Sequence, residues 1–154
     1  MRKAQEKKRN SMDYFQLQVP PDEILGMSNL ALAHLGDAVY ELMVRSYLCT
    51  HGVPTSKKLH QATISYVSAP AQARAAGRIL PLLTEEEENV FRRGRNAHFA
   101  AVPQHATREE YRTATGLEAL FGWLYLNGRR ERLCELFDQV MAADEVHKEA
   151  EICR

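Results

Sequence analysis

The sequence is poor in cysteine, and its few cysteines are not arranged to make a site. Among 154 residues there are three, Cys49, Cys134 and Cys153, and no two of them form a C-x-x-C pair. An odd number of widely separated cysteines argues against a disulfide framework and against a cysteine zinc centre. We therefore expect reduced thiols and a chain that resides in a reducing compartment.

The chain also lacks a net charge and a long apolar segment. Lys plus Arg and Asp plus Glu number 20 each, so a nucleic-acid-binding surface has to be sought in how charge is distributed. The most apolar stretch, residues 117–126, contains Glu118 and is shorter than the roughly 18 residues that a membrane span needs. The basic N-terminus is followed by no apolar signal-peptide core. These absences predict a cytoplasmic protein that does not enter a membrane.

What is present is the composition of one globular domain with helical patterning. The sequence is 45% hydrophobic and 26% charged, and no Gly/Ser-rich linker divides it. We predict a flexible basic tail over residues 1–12, a folded domain over residues 13–143 and a polar tail over residues 144–154. Apolar residues recur at helical spacing and nowhere alternate long enough to make a strand, so the fold class is predicted to be all-α.

Capping and turn residues set the predicted helix boundaries. The first long helix is expected over residues 27–49, with Ser28 or Asn29 as its cap. Thr84 should cap a later helix, whose first-turn glutamates suit the positive end of the helix dipole. The segment 92–115 is predicted to be irregular because a glycine and a proline interrupt it. Further helices are predicted over residues 56–68, from 70 to the proline at 81, and over 117–126 and 130–143.

The first notable acidic pattern lies in the first long helix. If the apolar stripe that includes Leu35 and Leu42 is buried, Asp37 and Glu41 lie together on the opposite side of the helix. A glycine such as Gly36 lowers the stability of a helix interior, but its missing side chain is useful where another backbone or a ligand must come close. A solvated acidic face with an incidental glycine explains the same pattern, and that alternative stays open.

The second acidic position is Glu118, in the first turn of the apolar helix predicted over residues 117–126. Its burial would be expensive unless the carboxylate were paired or bound to a cation, and Gly122 one turn later leaves that side open. The alternative is a carboxylate that serves the helix N-terminus. Two carboxylates on two apolar helices, Asp37 and Glu118, suit a hard cation such as Mg²⁺ or Mn²⁺, which can activate water and stabilise charge on phosphate.

Several motifs in a fixed order resemble those of the ribonuclease III family. Residues 35–39, Leu-Gly-Asp-Ala-Val, are similar to its signature helix, and residues 118–126, Glu-Ala-Leu-Phe-Gly-Trp-Leu-Tyr-Leu, to its second acidic motif. The chain most resembles the short bacterial form, Mini-ribonuclease III, which lacks a double-stranded RNA-binding domain. That likeness extends over residues 13–140 and includes Tyr66-Val-Ser-Ala, Gln72-Ala, Arg92-Arg-Gly-Arg-Asn-Ala and Tyr111-Arg-Thr-Ala-Thr-Gly.

The resemblance implies an all-α ribonuclease III-type endonuclease domain that works as a homodimer, uses Mg²⁺ and matures precursors of 23S ribosomal RNA. Asp37 matches the aspartate of the signature helix and Glu118 the glutamate of the second motif, so both are expected to be catalytic and to hold the metal. Two further metal-site carboxylates of the larger family members fall here on Ala33 and Thr115. This site therefore keeps only part of the acidic set, and Glu41 is assigned no role.

The basic segment after the acidic run is the predicted RNA-binding surface. Guanidinium groups suit phosphate contacts, and Gly94 would let an RNA backbone come close; A-form RNA is recognised mainly through its shape, phosphates and 2′-hydroxyls. Two lysines begin another helix, an unfavourable dipole position that a phosphate partner would offset. An exposed basic surface without a partner is the alternative. The predicted RNA-contacting residues are Arg92, Arg93, Arg95, Asn96, Arg112, Lys57 and Lys58, with His98 and Arg108 in the same segment.

These patterns lead to one principal function and two alternatives. The leading prediction is a metal-dependent endoribonuclease that cuts double-stranded RNA as a homodimer, which the apolar excess of the helices near residues 35–43 and 117–126 also favours. The incomplete acidic set leaves open a noncatalytic RNA-binding or ribosome-associated module with the same fold. A helical protein-interaction module, in which the acidic and glycine positions are incidental, is the third hypothesis.

Overall fold

The computed structural model describes residues 12–52, 55–97 and 104–152, and side chains only as far as residue 142. Within these ranges the chain forms helices joined by short turns, and no strand occurs, which confirms the all-α class. Residues 1–11 of the predicted N-terminal tail lie outside the described residues. The helices are α1 (Pro21–Leu25), α2 (Asn29–Thr50), α3 (Ser56–Val67), α4 (Ala69–Ile79), α5 (Glu85–Arg95), α6 (Arg108–Leu126) and α7 (Arg130–Ile152), with a 3₁₀ turn at Leu80–Leu82.

Helix α6 is the centre of the fold. Its residues are buried on almost all sides because α2, α4 and α5 all pack against it. The largest fully buried side chains include Leu117, Leu120, Phe121 and Leu124 from this helix and Tyr40 from α2. Burial of an apolar side chain of this size contributes about 1.5–3 kcal/mol. The core therefore holds in a fixed relation the two helices that carry the predicted acidic residues.

Helices α2 and α6 touch through their backbones where two glycines meet. A Cβ on Gly36 would lie 1.6 Å from the carbonyl oxygen of Glu118, and a Cβ on Gly122 would lie 2.1 Å from the carbonyl oxygen of Leu32. No side chain fits at such distances, so only glycine allows this crossing. The group that comes close to Gly36 is therefore another backbone and not a ligand, and the crossing brings Asp37 towards Glu118.

A second pair of glycines joins α5 to α6. A Cβ on Gly94 would lie 2.5 Å from the Cβ of Ala119, and a Cβ on Gly116 would lie 2.9 Å from the carbonyl oxygen of Phe91. Gly94 is buried and faces α6. The prediction that it lets an RNA backbone approach is therefore wrong.

The start of α6 differs from the predicted one, and this changes the setting of Glu118. The helix begins at Arg108, with a capping box built on Thr107, rather than at Leu117. Glu118 therefore lies about three turns inside the helix, and the alternative in which it serves the helix N-terminus is wrong. The prediction that residues 92–115 are irregular is also wrong at both ends of that segment. Helix α5 continues to Arg95, because the packing of Gly94 against α6 outweighs its low helix propensity, and α6 already begins at Arg108.

The buried face of α2 is only partly the predicted one: Leu32 is buried as expected, and Leu35 and Val39 are half-buried against the core. Tyr40 is fully buried, whereas Leu42, which was expected to be buried, is 55% exposed. The face is rotated because α6 approaches α2 along the side that carries Gly36, and a pattern of apolar residues does not mark a glycine. Asp37 lies one turn from both buried Ala33 and buried Tyr40, so it sits at the edge of the buried face rather than opposite it.

The predicted caps are confirmed, and one member of the acidic run does more than serve the helix dipole. Ser28 caps α2 and Thr84 caps α5, where Glu87 completes a capping box. Glu87 is 2% exposed and pairs with Arg132 at 2.9 Å, which ties α5 to α7. Helix α7 continues to Ile152, beyond its predicted end. In the part of the chain that the structure describes, no helix is long and apolar enough to cross a membrane.

Candidate active site

The α2–α6 crossing places Asp37 and Glu118 within electrostatic reach of each other. The negative charge of Asp37 is one cause of the raised pKa of Glu118, after the larger effect of burial. Partial desolvation also raises the pKa of Asp37, although its side chain is reached by solvent; the charge of Glu41 raises the pKa further, and His34 lowers it. The two predicted carboxylates are thus brought together from separate helices, as a shared cation would require.

Glu118 is the more perturbed carboxylate of the pair. Burial and the charge of Asp37, opposed by the Gln72 amide, raise its pKa from 4.5 to about 8. In the absence of a cation Glu118 therefore holds a proton at neutral pH, whereas a divalent cation would stabilise the ionised form. Asp37 is exposed while Glu118 is mostly buried, so a cation held by both would be open to solvent and substrate on the Asp37 side.

Gln72 is a site residue that the sequence patterns did not mark as one. Its helix, α4, packs against α6 and buries a face of small residues that includes Ala71, Ala75 and Ala76. Gln72 shares that face, is 1% exposed, and lowers the pKa of Glu118. Even so, neither its amide nitrogen nor its amide oxygen makes a hydrogen bond of ordinary geometry with any described residue. The signal in the sequence is a single long polar side chain on the buried face of an Ala-rich helix.

The other possible ligand positions do not extend the carboxylate pair into a larger set. Glu41 forms an ion pair with Arg45 at 3.0 Å. Ala33 is buried, and Thr115, also buried, donates its hydroxyl to the carbonyl oxygen of Tyr111 at 3.0 Å. Across the described ranges, no group of three or more His, Cys, Asp or Glu side chains is placed to hold a metal ion. A cation here would need water, phosphate or amide oxygen to complete its shell.

Three of the predicted RNA-binding residues, Arg95, Asn96 and Arg112, form a set of contacts that we call the α5–α6 clamp. Arg112 donates to the backbone carbonyl oxygen of Arg95 at 3.1 Å and to the side-chain oxygen of Asn96 at 3.1 Å. Arg95 itself pairs with Glu109 in the first turn of α6. These contacts hold the chain where it leaves α5, so the clamp stabilises the protein itself.

The remaining predicted RNA-binding residues lie on the surface of two other helices. Arg92 and Arg93 are exposed in the last turns of α5, and Lys57 and Lys58 are exposed in the first turn of α3. Both groups belong to helices other than the two that carry the carboxylates. His98 lies outside the described residues.

Comparison with known proteins gives an independent result. Residues 30–129 match the Ribonuclease III domain family. A Mini-ribonuclease 3 of Symbiobacterium thermophilum is 44% identical over 124 residues, which cover 80% of this chain and 94% of the relative. A Mini-ribonuclease 3 of Brevibacillus brevis is 46% identical over 113 residues, which cover 73% of this chain and 84% of the relative. Both relatives are therefore similar to this chain over most of their length.

A solved structure gives the same result for the fold. An X-ray crystal structure of a Fusobacterium nucleatum protein matches with a TM-score of 0.72 and 31% sequence identity, over 79% of this chain and 98% of that one. The helical arrangement is thus shared with a protein of known structure over nearly its full length. The family match over residues 30–129 contains both Asp37 and Glu118 and all of α3 to α6.

Proposed function

The chain belongs to the ribonuclease III family and is an endoribonuclease of the Mini-ribonuclease 3 type, and we propose that it cuts double-stranded RNA with a divalent cation held by Asp37 and Glu118. The observation that carries this proposal is the meeting of these two carboxylates at a helix crossing that only glycine permits. The pair is costly to the metal-free protein, because burial and the charge of Asp37 raise the pKa of Glu118. A bound cation would offset that cost.

The residues at the crossing fit Mg²⁺, with Mn²⁺ as a substitute. Hard cations prefer carboxylate and other oxygen ligands, and they keep several waters. Asp37 and Glu118 supply oxygen ligands and negative charge, and no His or Cys group that would favour zinc occurs among the described residues. Such a cation, when bound, lowers the pKa of a bound water and stabilises charge on a phosphate.

The contribution of the protein itself is positioning and charge. Asp37 is exposed at the edge of α2, on the solvent side from which an RNA phosphate would approach. Glu118 is held mostly buried in the central helix α6. Because the two helices touch through their backbones, the carboxylates are placed before substrate binds and need little reorganisation.

We assign the phosphate contacts mainly to the exposed cations of α3 and α5. Contacts from Lys and Arg to phosphate position a duplex without reading its sequence. RNA contact by the α5–α6 clamp stays a prediction, because the clamp residues already bond to one another and to α6. The proposed phosphate-binding residues are Arg92, Arg93, Lys57 and Lys58.

A homodimer is proposed because one chain presents one carboxylate pair and a duplex has two strands. Two copies related by a twofold axis would present two equivalent sites. Exposed apolar side chains near the start of α2 support such a contact: Leu25 is 77% exposed, Met27 37% and Leu30 44%. A second copy that covered them would remove apolar surface from water. A fully active monomer in sedimentation at micromolar concentration would contradict the dimer.

The natural substrate is proposed to be a precursor of 23S ribosomal RNA in the cytoplasm. The support for this substrate is the resemblance of the motifs to Mini-ribonuclease III rather than a feature of the site. The noncatalytic alternative is favoured only by the absence of charge at Ala33 and Thr115. It is not supported by the relatives, which are named as ribonucleases, or by the presence of both Asp37 and Glu118.

Incubation of the purified protein with a long RNA duplex tests the proposed reaction. We expect discrete products with Mg²⁺, no products with a chelator, and no cleavage of one strand alone. Asp138→Asn, which changes an exposed carboxylate on α7, should cut like the wild type and serves as the control. Binding without cutting in Mg²⁺ would favour the noncatalytic module, and preferred cleavage of the single strand would contradict the proposed substrate.

A further inference from the structure

Gln72 is a buried amide without the hydrogen bonds that burial normally demands. It is 1% exposed, and neither its amide nitrogen nor its amide oxygen makes a hydrogen bond of ordinary geometry with a described residue, although the amide is close enough to the Glu118 carboxyl to lower its pKa. An amide gives up its hydrogen bonds to water when it is buried, so buried amides in proteins are nearly always paired. An unpaired amide next to a functional site points to a group that the protein alone does not supply.

Three other polar or charged residues that are buried in the described part of the chain, Thr63, Thr115 and Glu87, are paired. Thr63 and Thr115 each donate a hydroxyl to the carbonyl oxygen one turn earlier in their own helix. Glu87 is bound by Arg132. Gln72 therefore differs from Thr63, Thr115 and Glu87 in that its side chain makes no hydrogen bond of ordinary geometry with a described residue.

The unpaired amide lies beside the carboxylate pair. Helix α4 comes close to α6 because its buried face is built from small residues such as Ala75 and Ala76. Gln72 on that face lowers the pKa of Glu118, which is the direction expected of a hydrogen-bond donor near a carboxylate. The amide of Gln72 therefore lies beside the Glu118 carboxyl group.

We propose that Gln72 is a positioning residue of the metal centre that joins Glu118 to a water molecule on the cation. With the cation bound, its amide nitrogen would donate to the Glu118 carboxylate, and its amide oxygen would accept from the water. An amide suits this position because a carboxylate only accepts hydrogen bonds, water on a cation mainly donates them, and an amide does both. The proposal rests on the proposed function, since it requires a cation at Asp37 and Glu118.

This role makes the metal-free and metal-bound proteins respond differently to a change at Gln72. Without a cation the amide makes no hydrogen bond of ordinary geometry, so an apolar side chain of similar shape removes a buried polar group at little loss of hydrogen bonding. With a cation the amide orients a ligand and a bound water, and groups in that position usually contribute to metal affinity. Gln72→Met should therefore weaken cation binding and leave the metal-free protein at least as stable.

Two measurements on the full-length protein test this: Mn²⁺ binding followed by electron paramagnetic resonance, and thermal unfolding in a chelator. For Gln72→Met we expect about tenfold weaker Mn²⁺ binding, with a melting temperature in chelator equal to or above that of the wild type. Thr63→Val removes another buried polar group, on α3, and should bind Mn²⁺ like the wild type. Wild-type Mn²⁺ affinity in Gln72→Met, or a lower melting temperature in chelator, would show that Gln72 is only a packing residue.

A second variant separates the acceptor role from packing. Gln72→Glu keeps the length and the acceptor oxygens but loses the amide donor, so at pH 9 it should regain part of the Mn²⁺ affinity that Gln72→Met loses. An affinity as low as that of Gln72→Met would contradict the acceptor role. If the wild type itself bound no Mn²⁺, the proposed metal site would fail, whereas wild-type binding with an unaffected Gln72→Met would overturn only the role of Gln72.

Discussion

Replacement of Glu118 by glutamine should make the metal-free protein more stable at alkaline pH. The pKa of Glu118 is raised from 4.5 to about 8, first by burial and then by the charge of Asp37. Because the folded-state pKa lies above the unfolded-state value, folding favours the protonated form. The stability of the metal-free protein should therefore fall as the pH rises from about 4.5 to about 8. Glutamine cannot ionise and should escape that loss.

The size of the effect follows from the difference between the two pKa values. At about 1.4 kcal/mol for each pH unit, a rise from 4.5 to about 8 corresponds to roughly 5 kcal/mol of unfolding free energy at pH 8.5. In a domain of this size, 1 kcal/mol moves the melting temperature by about 2–4 °C. Glu118→Gln in chelator should thus melt about 10–20 °C above the wild type at pH 8.5, and only about 3 °C above it at pH 5.

Thermal unfolding at a fixed protein concentration, followed by circular dichroism in EDTA and then in Mg²⁺, measures this difference. Mg²⁺ should raise the melting temperature of the wild type at pH 8.5 but not that of Glu118→Gln. Glu131→Gln, which changes an exposed carboxylate on α7, is the matched control and should follow the wild type throughout. If Glu118→Gln were less stable than the wild type at pH 8.5 in EDTA, the reasoning would be refuted, because the carboxylate would then be a stabilising partner in the metal-free protein.

Cation affinity should rise as the pH is raised towards 8, because Glu118 must release its proton to bind the cation. Calorimetry in buffers of different ionisation enthalpy should detect that proton, and equal affinity at pH 6.5 and 8.5 would contradict the pKa argument. Gly36→Ala should prevent folding or lower the free energy of unfolding in denaturant by roughly 3 kcal/mol or more, because its Cβ would lie 1.6 Å from a backbone oxygen. Gly77→Ala is the control: nothing lies within 4 Å of the added Cβ, so this change in a helix should raise the free energy of unfolding by about 1 kcal/mol. Arg93→Ala should weaken duplex binding and flatten its salt dependence without lowering the melting temperature, whereas Arg112→Ala should lower it by removing the α5–α6 clamp. Equal salt slopes for Arg93→Ala and wild type would count against the proposed RNA surface.

Features that depend on neighbours in the sequence could be predicted without the structure. Ser28 and Thr84 were identifiable as caps because a cap satisfies backbone donors only two or three residues away. The all-α class follows from helical spacing repeated along the chain. Asp37 and Glu118 could be singled out because a carboxylate in an apolar helix is unusual, and because the surrounding motifs resemble a known family.

The faces on which helices meet could not be predicted in the same way. Gly36 and Gly122 have no side chain, so the apolar pattern pointed to a stripe that includes Leu42, which is exposed. The distance of Glu118 from Asp37 depends on that glycine crossing. The importance of Gln72 depends on it as well, since only the packing of α4 on α6 shows that this amide is buried without a partner.

The roles of individual arginines in the basic segment could not be predicted from the sequence either. Composition marks Arg93, Arg95 and Arg112 equally as cations near a possible RNA surface. Only the structure separates Arg93, which is exposed on α5, from Arg112, which bonds to the end of that helix. Long-range hydrogen bonds of this kind join residues 16 or 17 positions apart and leave no local pattern.

Asp37 and Glu118 together are proposed to hold the cation that acts on the RNA phosphate. Single-turnover cleavage of an end-labelled RNA duplex by Asp37→Asn in saturating Mg²⁺ tests this proposal most directly, since this change keeps the shape of the side chain and removes its charge. We predict a loss of cleavage on the order of a thousandfold, with duplex binding and helical content unchanged and with Asp138→Asn cutting at the wild-type rate. Cleavage by Asp37→Asn at a rate near that of the wild type would contradict the claim.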